Sequence, residues 1–238
     1  MHSTRYIVTF VIILTAVVAL VLSLMATGLK PIHDRNEAIY NKKAIISAIE
    51  TDLGMAVNDL SGEEIQSIFD EKIKQVVVDD EGNVLDGIQA EDVDMAKEKK
   101  KPVPERKFPI YVYDAPDGKI YIVSVRGSGL WDEIWGNIAL EDDFNTVAGA
   151  AFDHKGETPG LGAEIKDNPN FADQFEGKKL YGEGGEFTSI AVVKNGASGV
   201  HQVDGISGAT ITGNGVEDML ELGIKYYEPY FEKIGKAN

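Results

Sequence analysis

Phe108-Pro-Ile-Tyr-Val-Tyr113 and the residues directly after it carry the clearest signal for the fold. Aromatic and aliphatic side chains alternate along this stretch, which is typical of a β-strand. Asp114-Ala-Pro-Asp-Gly118 then supplies residues that a turn prefers, and residues 120–125 return as a second apolar strand. The sequence therefore predicts a β-hairpin over residues 108–125.

Shorter patterns on both sides of the hairpin predict the rest of one domain. Ser61-Gly-Glu-Glu64 fits a capping box at the start of a helix, and a closing helix is predicted over residues 216–227. Residues 97–107 are basic and contain proline, and we interpret them as a solvated linker. The helix after the capping box has apolar residues on one face at Ile65, Ile68, Phe69 and Ile73. Further strands are predicted at residues 76–78, 84–85, 136–140, 147–152 and 189–194.

These elements together predict an α+β fold in which helices flank a mainly antiparallel sheet. The chain has 238 residues, a formal net charge of −16 and no cysteine. The acidity disfavours nucleic acid as a partner, because phosphate backbones need a basic surface. The lack of cysteine excludes disulfides, thiolate metal sites and iron–sulfur ligation by this chain itself. No metal site and no catalytic side chain is predicted.

The N-terminal residues 6–26 contain no charged side chain and consist mostly of Val, Ile, Leu, Ala and Phe. A helix rises about 1.5 Å per residue, so this segment can cross a hydrocarbon core of roughly 30 Å. A cleaved signal peptide is the alternative, since Ala26 and Gly28 form an acceptable cleavage site, although its apolar part usually spans only about 7–15 residues. We therefore predict a retained transmembrane anchor, followed by a helical stalk over residues 32–49.

The positive charges around the anchor do not fix its orientation. Arg5 precedes the apolar segment, whereas Lys30, Arg35, Lys42 and Lys43 follow it. Taken literally, this bias places the C-terminal domain in the cytoplasm. Long domains can nevertheless cross a membrane whatever their charge, so composition leaves both orientations open.

Asp204-Gly-Ile-Ser-Gly-Ala-Thr-Ile-Thr-Gly-Asn-Gly215 is the stretch with the most chemical character, and it stands directly before the closing helix. Glycines allow close approach of the backbone, hydroxyls form hydrogen bonds, and a helix N-terminus favours an anion. These properties suit a phosphate, although the pattern of a nucleotide-hydrolysing P-loop is absent. From these residues alone, a structural turn whose helix is capped by Thr212 or Asn214 remains the favoured alternative.

The order Asp204-Gly-Ile-Ser207-Gly208-Ala209-Thr210 resembles the flavinylation motif of FMN-binding domains. In that family an aspartate precedes a Ser/Thr-Gly-Ala-Thr tetrad, and the last threonine carries FMN through a phosphoester. The resemblance implies covalent FMN on Thr210, with Asp204, Ser207, Gly208 and Ala209 contributing to the site. It also implies that a separate, magnesium-dependent flavin transferase installs the group from FAD.

Two further segments match the same family. Residues 127–136 resemble its Gly-Leu-Trp segment, in which Trp131 is expected nearest the flavin, although both tryptophans can also be core residues. Lys194 is a candidate partner for the phosphate or flavin, with a solvated role as the alternative. A loop that lies against the flavin in the family is matched by Glu157, Thr158, Pro159, Gly160, Leu161 and Gly162. The motif spacing favours Thr210 as the acceptor over Thr212, and His154 and His201 are expected to be structural.

With its anchor and stalk, the chain resembles the C-subunit family of Na+-translocating NADH:quinone reductases. The G-subunit family of the Rnf ferredoxin:NAD+ oxidoreductases is a related alternative. The resemblance implies an electron-carrier protein that works with other subunits of a membrane complex and relays electrons from NADH towards quinone. It implies a single-pass protein of the inner membrane whose domain lies on the extracytoplasmic face, against the count of positive charges.

The expected domain boundaries follow from the same resemblance. Residues 1–29 are the predicted anchor, residues 30–75 the stalk and the N-terminal part of the domain, and residues 76–238 the FMN-binding domain. Two other classes stay open: a free-standing extracytoplasmic flavin reductase, and an assembly protein in which the glycine-rich loop is only structural.

Overall fold

The computed structural model describes residues 3–235. They divide into two compact units, one ending at Asn41 and the other beginning at Lys42. Helix α1 (Thr4–Ser47) covers the predicted anchor without a break and continues into the predicted stalk. Its N-terminal part is long and apolar enough to cross a membrane and is not buried, which supports a single membrane pass.

The second unit is built on one five-stranded sheet in which every strand is antiparallel to its neighbour. The predicted hairpin is confirmed as its second and third strands, and the predicted mainly antiparallel α+β fold is confirmed with it. The strands run in chain order, β1 (Ile73–Val78), β2 (Phe108–Ala115), β3 (Gly118–Ser128), β4 (Glu133–Leu140) and β5 (Val147–His154).

The helices of this unit cover both faces of the sheet. After α1 they are α2 (Glu50–Leu53), α3 (Gly62–Lys72), α4 (Met95–Glu98), α5 (Glu164–Asp167), α6 (Pro169–Asp173), α7 (Thr210–Ile224) and α8 (Glu228–Gly235). Helix α3 places Phe69 against Tyr111 on one face, with ring centroids 5.8 Å apart. Helix α7 crosses the opposite face, where Gly127 of β3 lies against Met219.

The capping box at the start of α3 is confirmed. The Ser61 hydroxyl accepts from the Glu64 N–H at 3.3 Å, and the Glu64 carboxylate accepts from the Ser61 N–H at 2.8 Å. Ile65 and Phe69 are buried on the predicted face. Ile73 does not belong to this helix, because its backbone is already extended and begins β1.

The interpretation of residues 97–107 as a solvated linker is wrong. Glu98 is buried, and its carboxylate accepts from the Lys107 N–H at 3.0 Å and from the Lys101 ammonium at 2.7 Å. The Arg106 guanidinium donates to the carbonyls of Lys99 and Lys101 at 2.9 and 2.8 Å. The side chains of Glu98 and Arg106 therefore fold back on the backbone of this segment, a contact that composition does not reveal.

A small second sheet also departs from expectation. Only Ala191–Val193 (β6) forms a strand within the predicted range 189–194, and it pairs in parallel with Gln202–Asp204 (β7). Strand β7 has only three residues, too few for an alternating pattern to signal it in the sequence. The predicted strand at residues 84–85 is reduced to one bridge between Val84 and Val78.

Helix α7 begins at Thr210, six residues before the predicted start at 216. The helix can lie close to β3 because it carries glycine at the contact points, and a Cβ on Gly215 would overlap the carbonyl oxygen of Ser128. Gly213, in the same helix, has more room, since its Cβ would lie 3.1 Å from a Val192 methyl group.

We expect Gly215→Ala to destabilise the protein by about 2 kcal/mol, because the new methyl group would push α7 off β3. In an exposed helix the same change would stabilise by about 1 kcal/mol. Chemical denaturation of both variants measures the effect, with Gly213→Ala as the matched control that changes stability little. Equal stability of Gly215→Ala and wild type would contradict the close packing of α7 on β3.

Candidate functional site

Three segments of the chain meet at one end of the five-stranded sheet. Ser128 pairs with Glu133 and Ile134 pairs with His154, so the β3–β4 turn and the loop after β5 leave the sheet at the same end. The first turns of α7 reach that end too, since Gly215 lies against Ser128. The predicted site segments, about 80 residues apart at their extremes, are thus neighbours in space.

Glu157 connects these three segments. Its carboxylate accepts from the Trp131 N–H at 2.8 Å and from the Thr212 hydroxyl at 2.6 Å. The side chain is almost completely buried. Gly129 and Gly162 lie so close to the carboxylate that a Cβ on either would overlap it. One carboxylate therefore holds the β3–β4 turn, the loop after β5 and helix α7 together.

The hydrogen bonds to Glu157 keep it ionised. Burial alone raises the pKa of the carboxyl, but the Thr212 hydroxyl and backbone N–H groups together lower it below the ordinary value of 4.5. These backbone donors belong to Trp131, Asp132 and Leu130. A buried carboxylate with this many donors carries its charge at neutral pH and is satisfied there.

Thr210 is the first residue of α7 and is exposed. The residue before it, Ala209, cannot cap the helix, and no side chain does so. By contrast α3, α4 and α6 each begin with a side-chain cap, from Ser61, Asp94 and Asn168. The N-terminus of α7 therefore has no side-chain cap, and its first backbone N–H groups can donate to an external acceptor.

The free backbone donors of this terminus lie beside the Thr210 side chain. The first helical hydrogen bond of α7 runs from the Gly213 N–H to the Ala209 carbonyl at 2.9 Å. Within residues 3–235, no group accepts from the N–H of Thr210, Ile211 or Thr212. Together with the positive end of the helix dipole, these N–H groups favour an anion at the Thr210 side chain.

The alternative in which Thr212 or Asn214 caps the helix is wrong, because both lie inside it. Thr212 is buried and its hydroxyl is bound to Glu157. Of the two threonines, only Thr210 is exposed to an external group. Asn214 is exposed and lines a recess next to Thr210. Asn214 follows Thr210 by about one helical turn, and this spacing could have indicated that both lie on the same face of the helix.

The recess has a volume of about 50 Å³, which leaves room for the oxygens of a phosphate group. One wall is β6 with the residues that follow it, Lys194 and Asn195. A hydrogen bond from the Val192 N–H to the Glu217 carboxylate at 3.0 Å ties this wall to α7. The opposite wall is formed by Gly205, Ile206, Ser207, Gly208, Ala209, Thr210, Gly213 and Asn214.

Large apolar side chains in the segments that meet at this end of the sheet are unusually exposed. Trp131 is 69% exposed, and its indole N–H donates to the Thr158 hydroxyl at 3.0 Å. Leu161 is also exposed and packs on the turn at Gly208, whose φ of 80° suits glycine. Ile211 points outward beside Thr210. Exposed apolar faces of this kind can receive a flat apolar ring.

The remaining predicted site residues have supporting positions. Asp204 accepts from the Ala197 N–H at 2.8 Å and so holds the turn after β6. Gln174, which the sequence did not single out, pairs with the backbone of Asp204 in both directions, at 2.7 and 3.1 Å. Pro159 and Gly160 form the exposed tip of the loop after β5, and Gly160 has a φ of 74°.

The two histidines near the motif segments contact backbone. The Glu157 N–H donates to His154 Nδ1 at 3.1 Å, and His201 Nδ1 lies 2.7 Å from the Lys179 carbonyl oxygen. Both contacts agree with the expected structural role. Within the described residues 3–235, no group of three or more His, Asp or Glu side chains is arranged to hold a metal ion.

This combination of fold and site has a counterpart in a known family of domains. Residues 129–225 match the sequence model of the FMN-binding domain family. That range contains Trp131, the loop after β5, the recess and α7. The chain is therefore an FMN-binding domain protein with a long apolar helix at its N-terminus.

Relatives that match almost the whole chain identify a particular family within this class of protein. The chain is 33% identical to the C subunit of the Na+-translocating NADH-quinone reductase from Pseudomonas aeruginosa, with 95% of each chain covered. It is 34% identical to the same subunit from Vibrio alginolyticus, over 94% of this chain and 92% of that one. The crystal structure of this subunit from Parabacteroides distasonis matches with a TM-score of 0.74 and 35% identity, covering 85% of this chain and 96% of that one. The chain belongs to the C-subunit family of Na+-translocating NADH-quinone reductases.

Proposed function

We propose that this chain carries FMN covalently, through a phosphoester with the Thr210 hydroxyl. The observation that carries the proposal is the uncapped N-terminus of α7, with an exposed threonine at its first position. A phosphodiester there would accept from the free N–H groups of the first turn, as a side-chain cap does elsewhere in the chain. The family match to FMN-binding domains supports the identity of the group.

The residues around Thr210 fit the two halves of FMN. The recess has room for the oxygens of a phosphate group, and Lys194, which lines it, would contribute a positive charge. The isoalloxazine would lie outside the recess, against the exposed faces of Trp131 and Leu161. When bound, FMN supplies the redox chemistry. The protein positions the flavin and prevents it from diffusing away.

The roles of the other predicted residues follow from their positions. Glu157 and Thr158 hold Trp131 in place through their hydrogen bonds, and Gly162 leaves room for the Glu157 carboxylate. Asp204 shapes the wall that carries Lys194. Pro159 and Gly160 close the loop, and Ser207, Gly208 and Ala209 form the turn that presents Thr210.

In the complex, the chain would act as an electron relay on the path from NADH to quinone. This role rests on membership of the C-subunit family. We further propose that the apolar part of α1 anchors the chain in the inner membrane and that the domain lies on the extracytoplasmic face. A flavin transferase on that side would load Thr210.

Reduction of the flavin in its native setting tests the relay. In membranes containing the whole complex, NADH should reduce the FMN on this chain and added quinone should reoxidise it. The isolated chain should show neither reaction, because electrons would reach it only through neighbouring subunits. Rapid reduction by NADH and turnover of soluble acceptors by the isolated chain would instead identify a free-standing reductase. The absence of any flavin on the chain in native membranes would identify an assembly protein.

A further inference from the structure

Two Asn-Gly pairs face the recess beside Thr210. Asn195 and Asn214 both line it, and each is followed by a glycine, Gly196 and Gly215. The side-chain amide of asparagine can be attacked by the backbone nitrogen of the next residue. A following glycine favours this reaction, because no side chain hinders the approach and the backbone is free to rotate. The two pairs share their chemistry and differ only in their surroundings.

Asn195-Gly196 lies in an open turn. Asn195 is exposed, and Gly196 has a φ of 77° with nothing within 4 Å of the position of a Cβ. Within residues 3–235, no group accepts a hydrogen bond from the Gly196 N–H. The turn is secured on its far side, where Asp204 holds the Ala197 N–H. The reacting nitrogen is therefore accessible and not engaged in secondary structure.

Asn214-Gly215 lies inside α7, where the backbone N–H groups belong to the helical ladder. Gly215 is buried against the Ser128 carbonyl, so its nitrogen cannot rotate towards the Asn214 side chain. The helix would have to open before this pair could react. The chain therefore contains its own control for the chemistry at Asn195.

We propose that Asn195 is a site of spontaneous deamidation in the folded protein. The Gly196 nitrogen attacks the Asn195 side-chain carbonyl carbon, a C–N bond forms, and ammonia leaves to give a succinimide. Water then opens the ring and yields aspartate or isoaspartate. The net change is one amide and one water converted into one carboxylate and ammonium, with no oxidant or reductant.

The reaction places a negative charge in the recess that also holds Lys194 and borders Thr210. A carboxylate at this position would compete for the Lys194 ammonium and repel a phosphate. Deamidation would thereby change the electrostatics of the site. This consequence rests on the proposed function, whereas the reaction at Asn195 does not.

Ageing of the purified full-length protein, with and without flavin, tests the proposal. The folded protein is incubated at mildly alkaline pH and digested with trypsin, and fragment ions locate the conversion of amide to acid. Cleavage after Lys194 and Lys225 leaves both asparagines in one peptide, so their conversion is compared within the same molecule. The expected result is loss of the Asn195 amide while the Asn214 amide stays intact.

Two controls make the outcome decisive. In denaturant both amides should be lost at similar rates, because the protection of Asn214 comes from the helix. Asn195→Gln should remove the conversion at that position without affecting the fold. Equal protection of Asn195 and Asn214 in the folded protein, or faster loss at Asn214, would overturn the proposal. In the flavin-loaded protein, Asn195→Asp should lower the reduction potential of the flavin; an unchanged potential would contradict the electrostatic consequence alone.

Discussion

We expect Thr210→Ala to remove all covalently attached flavin from the protein, while the domain still folds. Thr210 is exposed at the first position of α7 and makes no packing contribution that alanine cannot replace. Alanine also has the higher helix propensity, so the free energy of unfolding should change by less than about 1 kcal/mol. Only the nucleophilic hydroxyl is lost. The measurement is the intact mass of the denatured protein from native membranes, where wild type should gain the mass of FMN less one water.

The neighbouring threonine provides the control for Thr210. Thr212→Val removes a hydroxyl two residues away that is buried and bound to Glu157. This variant should keep its covalent flavin, although its loop is held less firmly. The assignment of the acceptor would be wrong if Thr212→Val lost the added mass and Thr210→Ala retained it. An unmodified wild type, made where a flavin transferase is demonstrably active, would exclude the covalent linkage altogether.

Glu157→Ala should be among the most destabilising single substitutions in the domain, with a loss of roughly 3 kcal/mol. The change leaves the Thr212 hydroxyl and the Trp131 N–H without their acceptor. It also opens a hole between Gly129 and Gly162, which have no side chains to fill it. Chemical denaturation of the flavin-free domain measures the loss independently of any bound group.

Glu157→Gln separates the charge from the shape of this side chain. Glutamine can still accept from Trp131 and contact Thr212, so we expect a smaller loss of about 1 kcal/mol at neutral pH. The pKa of Glu157 is lower in the folded protein than its ordinary value of 4.5. The stability that its ionised form contributes is therefore complete above pH 4.5 and disappears as the pH falls through the lower pKa of the folded state. The stability difference between wild type and Glu157→Gln should therefore shrink as the solution is acidified. A difference that grows at low pH would contradict an ionised Glu157.

Some features can be read directly from local sequence. The hairpin over residues 108–125 and the capping box at Ser61 are confirmed because strand alternation, turn residues and caps act between residues a few positions apart. The apolar helix at the N-terminus is equally local, since length and composition are sufficient to predict it. The choice of Thr210 over Thr212 came from a motif and not from a physical pattern, and its chemistry stays a prediction.

Tertiary contacts set the start of α7, the burial of Thr212 and the role of Glu157. Residues 210–215 contain two glycines and a low helix propensity, so the sequence placed the helix start later. Packing of Gly215 on Ser128 stabilises these turns as helix. Glu157 joins residues from segments that lie 26 and 55 positions away in the chain. No local periodicity encodes such partners, because the meeting of the segments depends on how the antiparallel strands and α7 pack at one end of the sheet.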